Sequence, residues 1–175
     1  MRLILLMKFF ITAIVSIFLL AACVTDDMPR NEGVSVGDPL PWFEITLNDG
    51  SEICTDSLFG KLSVIIFFST SCKDCRRELP HLDEVYRHFE NDSDVIIFAV
   101  SREEQPEQVM SFWKEFNLTI PFSAQSDRYV FTLFASIGVP RVYISDSSNI
   151  IVAAFDDSDF PSPEKLINII EKYSK

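Results

Sequence analysis

The chain is poor in cysteine, histidine and positive charge, and each shortage removes a class of function. Four cysteines, at 23, 54, 72 and 75, are too few to staple a disulfide scaffold. The only histidines are His81 and His88, and there is one close cysteine pair. Apart from carboxylates, only these and Cys54 could complete a four-ligand zinc set. Basic residues number 15 against 26 acidic ones, a net charge of −11. An acidic globule is repelled by phosphate backbones, which argues against nucleic acid as a partner. The N-terminal apolar run, 9–22, is too short to cross a bilayer comfortably. No internal repeat and no second folded domain is visible. What the chain does have is apolar bulk: 47% hydrophobic residues and 16 Phe, enough for one sizeable core.

The N-terminus carries Arg2 and Lys8, then the apolar run, then Leu20-Ala21-Ala22-Cys23. The run has the length of a signal-peptide core. Small residues before a cysteine at its end resemble the lipobox of bacterial lipoproteins. The resemblance implies a signal peptide over 1–22 and a lipidated Cys23 as the first mature residue. Residues 23–35, polar and holding Pro29 and Gly33, read as a flexible tether. Loss of Arg2 and Lys8 with the leader takes the charge to −13. Several acyl chains would hold the protein firmly to a membrane of the cell envelope. The domain would face the periplasm, or the cell surface if Asp26-Asp27 acts as an export signal.

The remaining stretch, 36–175, reads as one domain. Trp42–Leu47 alternates apolar and polar residues, Asn48-Asp49-Gly50 is a turn, and Ile53 resumes the pattern, which predicts a β-hairpin. Leu58–Lys61 is a short connection. Val64–Phe68 and Val95–Val100 are apolar on both faces, as buried parallel strands require. Glu78, Leu82, Val85 and Phe89 between them follow a helical stripe, completing a βαβ unit. Further helices are predicted over 106–116, over 129–135 and from Ser162-Pro163-Glu164 to about Tyr173. Arg141–Ser145 and Ile150–Phe155 are strands joined by a turn sequence. The expected fold is α/β: a mixed central sheet with helices on both faces and an N-terminal β-hairpin.

The chemistry-bearing segment is Phe68-Ser69-Thr70-Ser71-Cys72-Lys73-Asp74-Cys75-Arg76-Arg77-Glu78-Leu79-Pro80. A strand ends, two cysteines follow at i and i+3, and a helix begins. The thiolate is the nucleophile of disulfide exchange, and a helix N-terminus stabilises it through unpaired N–H groups and positive potential. Cys72 is placed to attack and Cys75, one turn inside, to resolve. Lys73 and Arg76 favour the thiolate, whereas Asp74 opposes it. A peroxidase pattern would need Thr three residues before Cys72 and Pro seven before it, where the chain has Ser69 and Ile65. A passive structural disulfide stays open, although a two-residue loop stabilises weakly.

The stretch from Val36 to Tyr173 is similar to the TlpA/ResA-like branch of the thioredoxin superfamily, membrane-tethered thiol–disulfide oxidoreductases. The Cys72–Cys75 pair sits at the strand–helix junction, and Pro80 matches the helix-kinking proline. Gly138-Val139-Pro140 precedes a strand, as the cis-proline loop does. Glu78 matches the buried glutamate of ResA-like members. The resemblance implies a thioredoxin-like fold and a dithiol that is itself the redox group, with no cofactor. It implies Pro140 beside the cysteines and Glu78 tuning their protonation. The stripe places Glu78 in the core without a cation partner, and there its carboxyl should titrate high. Implied partners are thiols and disulfides of exported proteins and a membrane electron donor, with the chain a monomer. Departures are Ser71 where Trp is usual, Asp74 where Pro is frequent, and Val139 and Arg141 flanking Pro140. They keep open a non-catalytic lipoprotein of the same fold. Cys54, near an edge strand, reads as a small buried residue.

Overall fold

The computed structural model describes residues 33–174. The leader (1–22), Cys23 and the tether up to residue 32 lie outside these residues.

Two short strands, β1 (Glu44–Thr46) and β2 (Glu52–Cys54), pair antiparallel around the Asn48-Asp49-Gly50 turn, the hairpin expected from the alternation. A 3₁₀ turn, Thr55–Leu58, leads on to β3 (Leu62–Phe68). The chain continues through α1 (Lys73–Phe89), β4 (Val95–Ser101), α2 (Pro106–Phe116) and β5 (Phe122–Ser123). It closes with α3 (Tyr129–Phe134), β6 (Arg141–Ser145), β7 (Ile151–Phe155) and α4 (Pro163–Tyr173). The five-stranded sheet runs β5-β4-β3-β6-β7. β3, β4 and β5 are parallel, while β6 and β7 are antiparallel to their neighbours.

β3 has neighbours on both edges and packed elements on both faces, so all seven of its residues are buried. That is the physical content of its unbroken apolar run. Phe68 points to one face, where it meets Trp113 of α2 at a centroid separation of 4.8 Å. Phe67 points to the other, against Phe131 and Phe134 of α3 and Tyr143 of β6. Phe43, just before β1, stacks onto this second cluster through Phe98 and Phe134. α1 packs beside α4. The result is a thioredoxin-like mixed sheet between helical layers.

Three details differ from the sequence reading. β5 was not expected: two residues are too few to show a period, and its pairing with Ala99 and Val100 is purely tertiary. The stripe of α1 that enters the core runs through Cys75, Leu79, Leu82, Val85 and Phe89, with Leu79 in place of Glu78. The end of the expected tether is docked. Val34 donates its N–H to Phe134 O at 2.8 Å and packs on the core. Gly33 beside it has φ +73, and a Cβ there would lie 2.0 Å from Phe134 O. Only glycine allows so close an approach in that conformation.

Candidate active site

The site is built where β3 gives way to α1. Cys72 is the N-cap of α1, with φ −79 and ψ 125, and its sulfur accepts from Cys75 N at 3.4 Å. A sulfur thus takes the place that a serine or aspartate oxygen usually fills at a helix start. The 17 residues of α1 align their peptide dipoles behind this position. Cys72 is half-buried and its thiol donates to Val139 O at 3.2 Å. Cys75, in the first turn, has no solvent exposure. Both cysteines are present as free thiols. Burial pushes the Cys75 thiol far above its ordinary value. Charge on Cys72 and Glu104 adds to that rise, and a backbone hydrogen bond from Ser69 opposes it. The outer sulfur is therefore within reach of another molecule, and the inner one is held as a neutral thiol.

The wall opposite Cys72 is the loop before β6. The Val139–Pro140 peptide bond is cis, and Gly138 has φ +79. Arg141 fixes the loop from below, donating Nε to Ile137 O at 3.1 Å and to Gly138 O at 3.3 Å. The Tyr143 hydroxyl donates to Phe134 O at 3.2 Å, joining the loop's support to α3. The structure thus brings Cys72, Cys75, Val139 and Pro140 to one place, from segments 67 residues apart.

Two charged residues stand differently from the sequence reading. Glu78 is not a cation-free core residue. Its side chain is 14% exposed and pairs with Arg77 Nε at 2.6 Å, while His81 Nδ1 lies 3.4 Å away. The periodicity of α1 allowed either 78 or 79 on the buried face, and the larger transfer gain of Leu79 decides it. Arg76 bonds to Glu115 at 2.7 Å, donates to Thr70 O at 3.3 Å and lies over the Phe112 and Phe116 rings. Its charge is largely answered by Glu115, and its evident work is to tie α1 to α2. Cys54 ends β2, half-buried, in the two-stranded sheet.

One residue of the site was missed. Glu104 is buried behind the Ser69-Thr70 turn and accepts hydrogen bonds from it. In the sequence it is the second of two adjacent glutamates in a polar loop, and Glu103 beside it is exposed. No local signal separates the two.

A parallel-stranded core, a cysteine pair capping a helix and a cis-proline loop over the outer sulfur define a thioredoxin-fold thiol–disulfide oxidoreductase of the TlpA/ResA-like kind. The chain belongs to the AhpC/TSA family, whose model matches residues 36–154. It is similar to the thiol-disulfide oxidoreductase ResA of Bacillus subtilis (strain 168), with 27% identity over 121 residues, 69% of this chain and 67% of that one. ResA of Geobacillus kaustophilus (strain HTA426) is 29% identical over 140 residues, 78% of this chain and 80% of that one. Among solved structures, a Bacteroides thetaiotaomicron protein provisionally assigned as a disulfide isomerase superposes with a TM-score of 0.75 at 26% identity. The match covers 81% of this chain and 92% of that one.

Proposed function

We propose that the chain is a lipid-anchored oxidoreductase that reduces disulfides of exported proteins through Cys72 and Cys75. The observation that carries this reading is the geometry of the pair: a half-exposed Cys72 sulfur at a helix N-terminus, 3.2 Å from Val139 O, with Cys75 fully buried behind it. The Cys72 thiolate attacks one sulfur of a substrate disulfide, and the other substrate sulfur leaves and takes a proton. Cys75 then gives up its proton and attacks Cys72 Sγ. The Cys72–Cys75 disulfide forms and the second substrate sulfur leaves as a thiol. Two electrons pass from the pair to the substrate, and a membrane donor of reducing equivalents returns them. No further cofactor enters this scheme.

Val139 and Pro140 form the backbone edge along which the substrate chain lies. Pro140 offers no N–H there, and Val139 O, which lies 3.2 Å from Cys72 Sγ, is the acceptor on this edge that a substrate N–H can reach. Glu78 acts at one remove. Shared between Arg77 and His81, it sets charge along the first turns of α1 and does not touch a sulfur. The leader-like N-terminus and Cys23 supply the tether. They keep the chain in the envelope, its domain in the periplasm or at the cell surface, acting as a monomer.

The test is trapping. Full-length Cys75→Ser, expressed in cells, should accumulate exported proteins on Cys72 as mixed disulfides on a non-reducing gel, and Cys72→Ser should accumulate few. Equal trapping by both variants would remove the assigned roles. Failure of the wild type to accelerate insulin reduction by dithiothreitol would favour the passive-disulfide reading.

A further inference from the structure

Glu104 is 7% exposed, yet the exchange reaction as written makes no use of it. Its Oε1 accepts from Thr70 N at 2.8 Å, Thr70 Oγ1 at 2.6 Å, Ser69 Oγ at 3.1 Å and Gln108 Nε2 at 3.1 Å. Its Oε2 accepts from Thr70 N at 3.0 Å. Gln108 Nε2 also donates to Thr70 Oγ1 at 2.9 Å, so that hydroxyl has its proton free for the carboxylate. None of the ion pairs among the described residues includes Glu104. A buried carboxylate without a cation is costly unless its oxygens are filled with donors, as they are here.

The clamped segment leads directly into the cysteine pair. Ser69 O accepts from Cys72 N at 3.1 Å. Thr70 O, in turn, accepts from Arg76 in the first turn of α1. Glu104 is itself fixed, its N–H donating to Gln125 O at 2.7 Å. A negative charge is thus locked onto the two residues that hold Cys72 and the first turn of α1.

We propose that Glu104 is a positioning residue of the exchange site: through the Ser69-Thr70 backbone and its own charge, it governs when and how fast Cys75 attacks the mixed disulfide. This deepens the exchange reaction proposed above and rests on it. The clamp holds Cys72 and the first turn of α1 in place, and the charge adds to the burial that keeps Cys75 a thiol. Glu104→Gln removes the charge and turns an amide N–H₂ towards donors. Glu104→Asp keeps the charge on a shorter arm. Glu104→Ala removes both.

The experiment uses full-length protein in detergent with two readouts. One is the pH midpoint of Cys75 ionisation in the reduced protein, read from thiolate ultraviolet absorbance in a Cys54→Ser, Cys72→Ser background. The other is the rate at which a glutathione mixed disulfide, formed on Cys72 from oxidised glutathione, resolves to the intramolecular disulfide. In Glu104→Gln the midpoint should fall by about half a pH unit or more. In Glu104→Asp it should stay, while resolution slows by about tenfold or more because the clamp is misplaced. Glu104→Ala should show both effects. Should those variants fail to fold, Thr70→Val removes the 2.6 Å arm and the Gln108 bond to the same hydroxyl, keeps the carboxylate and the Thr70 N–H, and should slow resolution at an unchanged midpoint. Folded variants that match the wild type in both readouts would overturn the proposal. If Cys72 forms no glutathione adduct in the wild type, the exchange reading fails, and the ionisation midpoint alone still decides whether Glu104 acts on Cys75.

Discussion

Ser63 and Ser145 face each other across β3 and β6, their hydroxyls 2.6 Å apart and both side chains buried. Each is the other's partner in an otherwise apolar layer. Ser63→Ala leaves the Ser145 hydroxyl to find a new partner in the core, at a cost of about 1–3 kcal/mol. The double variant Ser63→Ala, Ser145→Ala removes both polar groups and should return to within about 1 kcal/mol of the wild type. Urea unfolding of the three variants measures this, and strictly additive losses would show that the hydroxyls do not depend on one another. At the same scale, the site was readable where its residues are neighbours in sequence. Cys72 and Cys75 declare themselves by spacing, whereas Pro140, far from them in sequence, was placed beside them only by the family resemblance of its Gly-Val-Pro setting. Glu104 is 34 residues from Thr70, and only the folded chain brings its carboxylate there. Glu78 was misplaced because residues 78 and 79 differ by only about 100° around a helix, and apolar residues at 82, 85 and 89 fit either one.

Among the elements, the strands and helices with strong patterns were legible and those made by tertiary contact were not. β3 and β4 announce themselves as apolar runs, and α4 by Ser162 at its N-cap, which accepts from Lys165 N at 3.3 Å. β5 has no pattern of its own. It is delivered to β4 by the preceding loop, and that loop is held from α1. Asp83 has a side chain only 2% exposed, accepts from Thr119 N at 2.6 Å and Ile120 N at 2.9 Å, and pairs with Arg87. This carboxylate splices α1 to the loop 36 residues later. Asp83→Ala leaves the buried Ile120 N–H without an acceptor, with an expected loss on the order of 2 kcal/mol. Asp83→Asn keeps one oxygen for the two amides and should lose less. A lowered urea midpoint at constant m-value would report this as lost stability of the intact fold. An unchanged midpoint for Asp83→Ala would show that β5 is held without this splice, by its pairing with β4 and its hydrogen bonds to Thr46 and Asn48.

For the whole molecule, the redox state of the pair should set how stability responds to alkali. In the reduced protein Cys75 is a fully buried thiol held protonated well above its ordinary value of 9.0. The unfolded chain releases that proton near 9.0, whereas the folded chain keeps it. Above that pH the unfolded state therefore binds fewer protons than the native state, and stability must fall as pH rises. The contribution is fully present below 9.0 and is lost progressively above it. For one group the loss between pH 8 and pH 10 is about 1.4 kcal/mol. The oxidised protein has no such proton to hold, and neither does reduced Cys75→Ala. Other titrating groups are common to the reduced pair, so their difference isolates Cys75. Urea midpoints of reduced wild type and reduced Cys75→Ala should therefore converge or cross as pH is raised from 8 to 10, with the wild type losing more. Parallel losses in the two reduced proteins would mean that Cys75 ionises in the folded state as readily as in the unfolded one, and the buried, waiting thiol on which the two-step exchange depends would not exist.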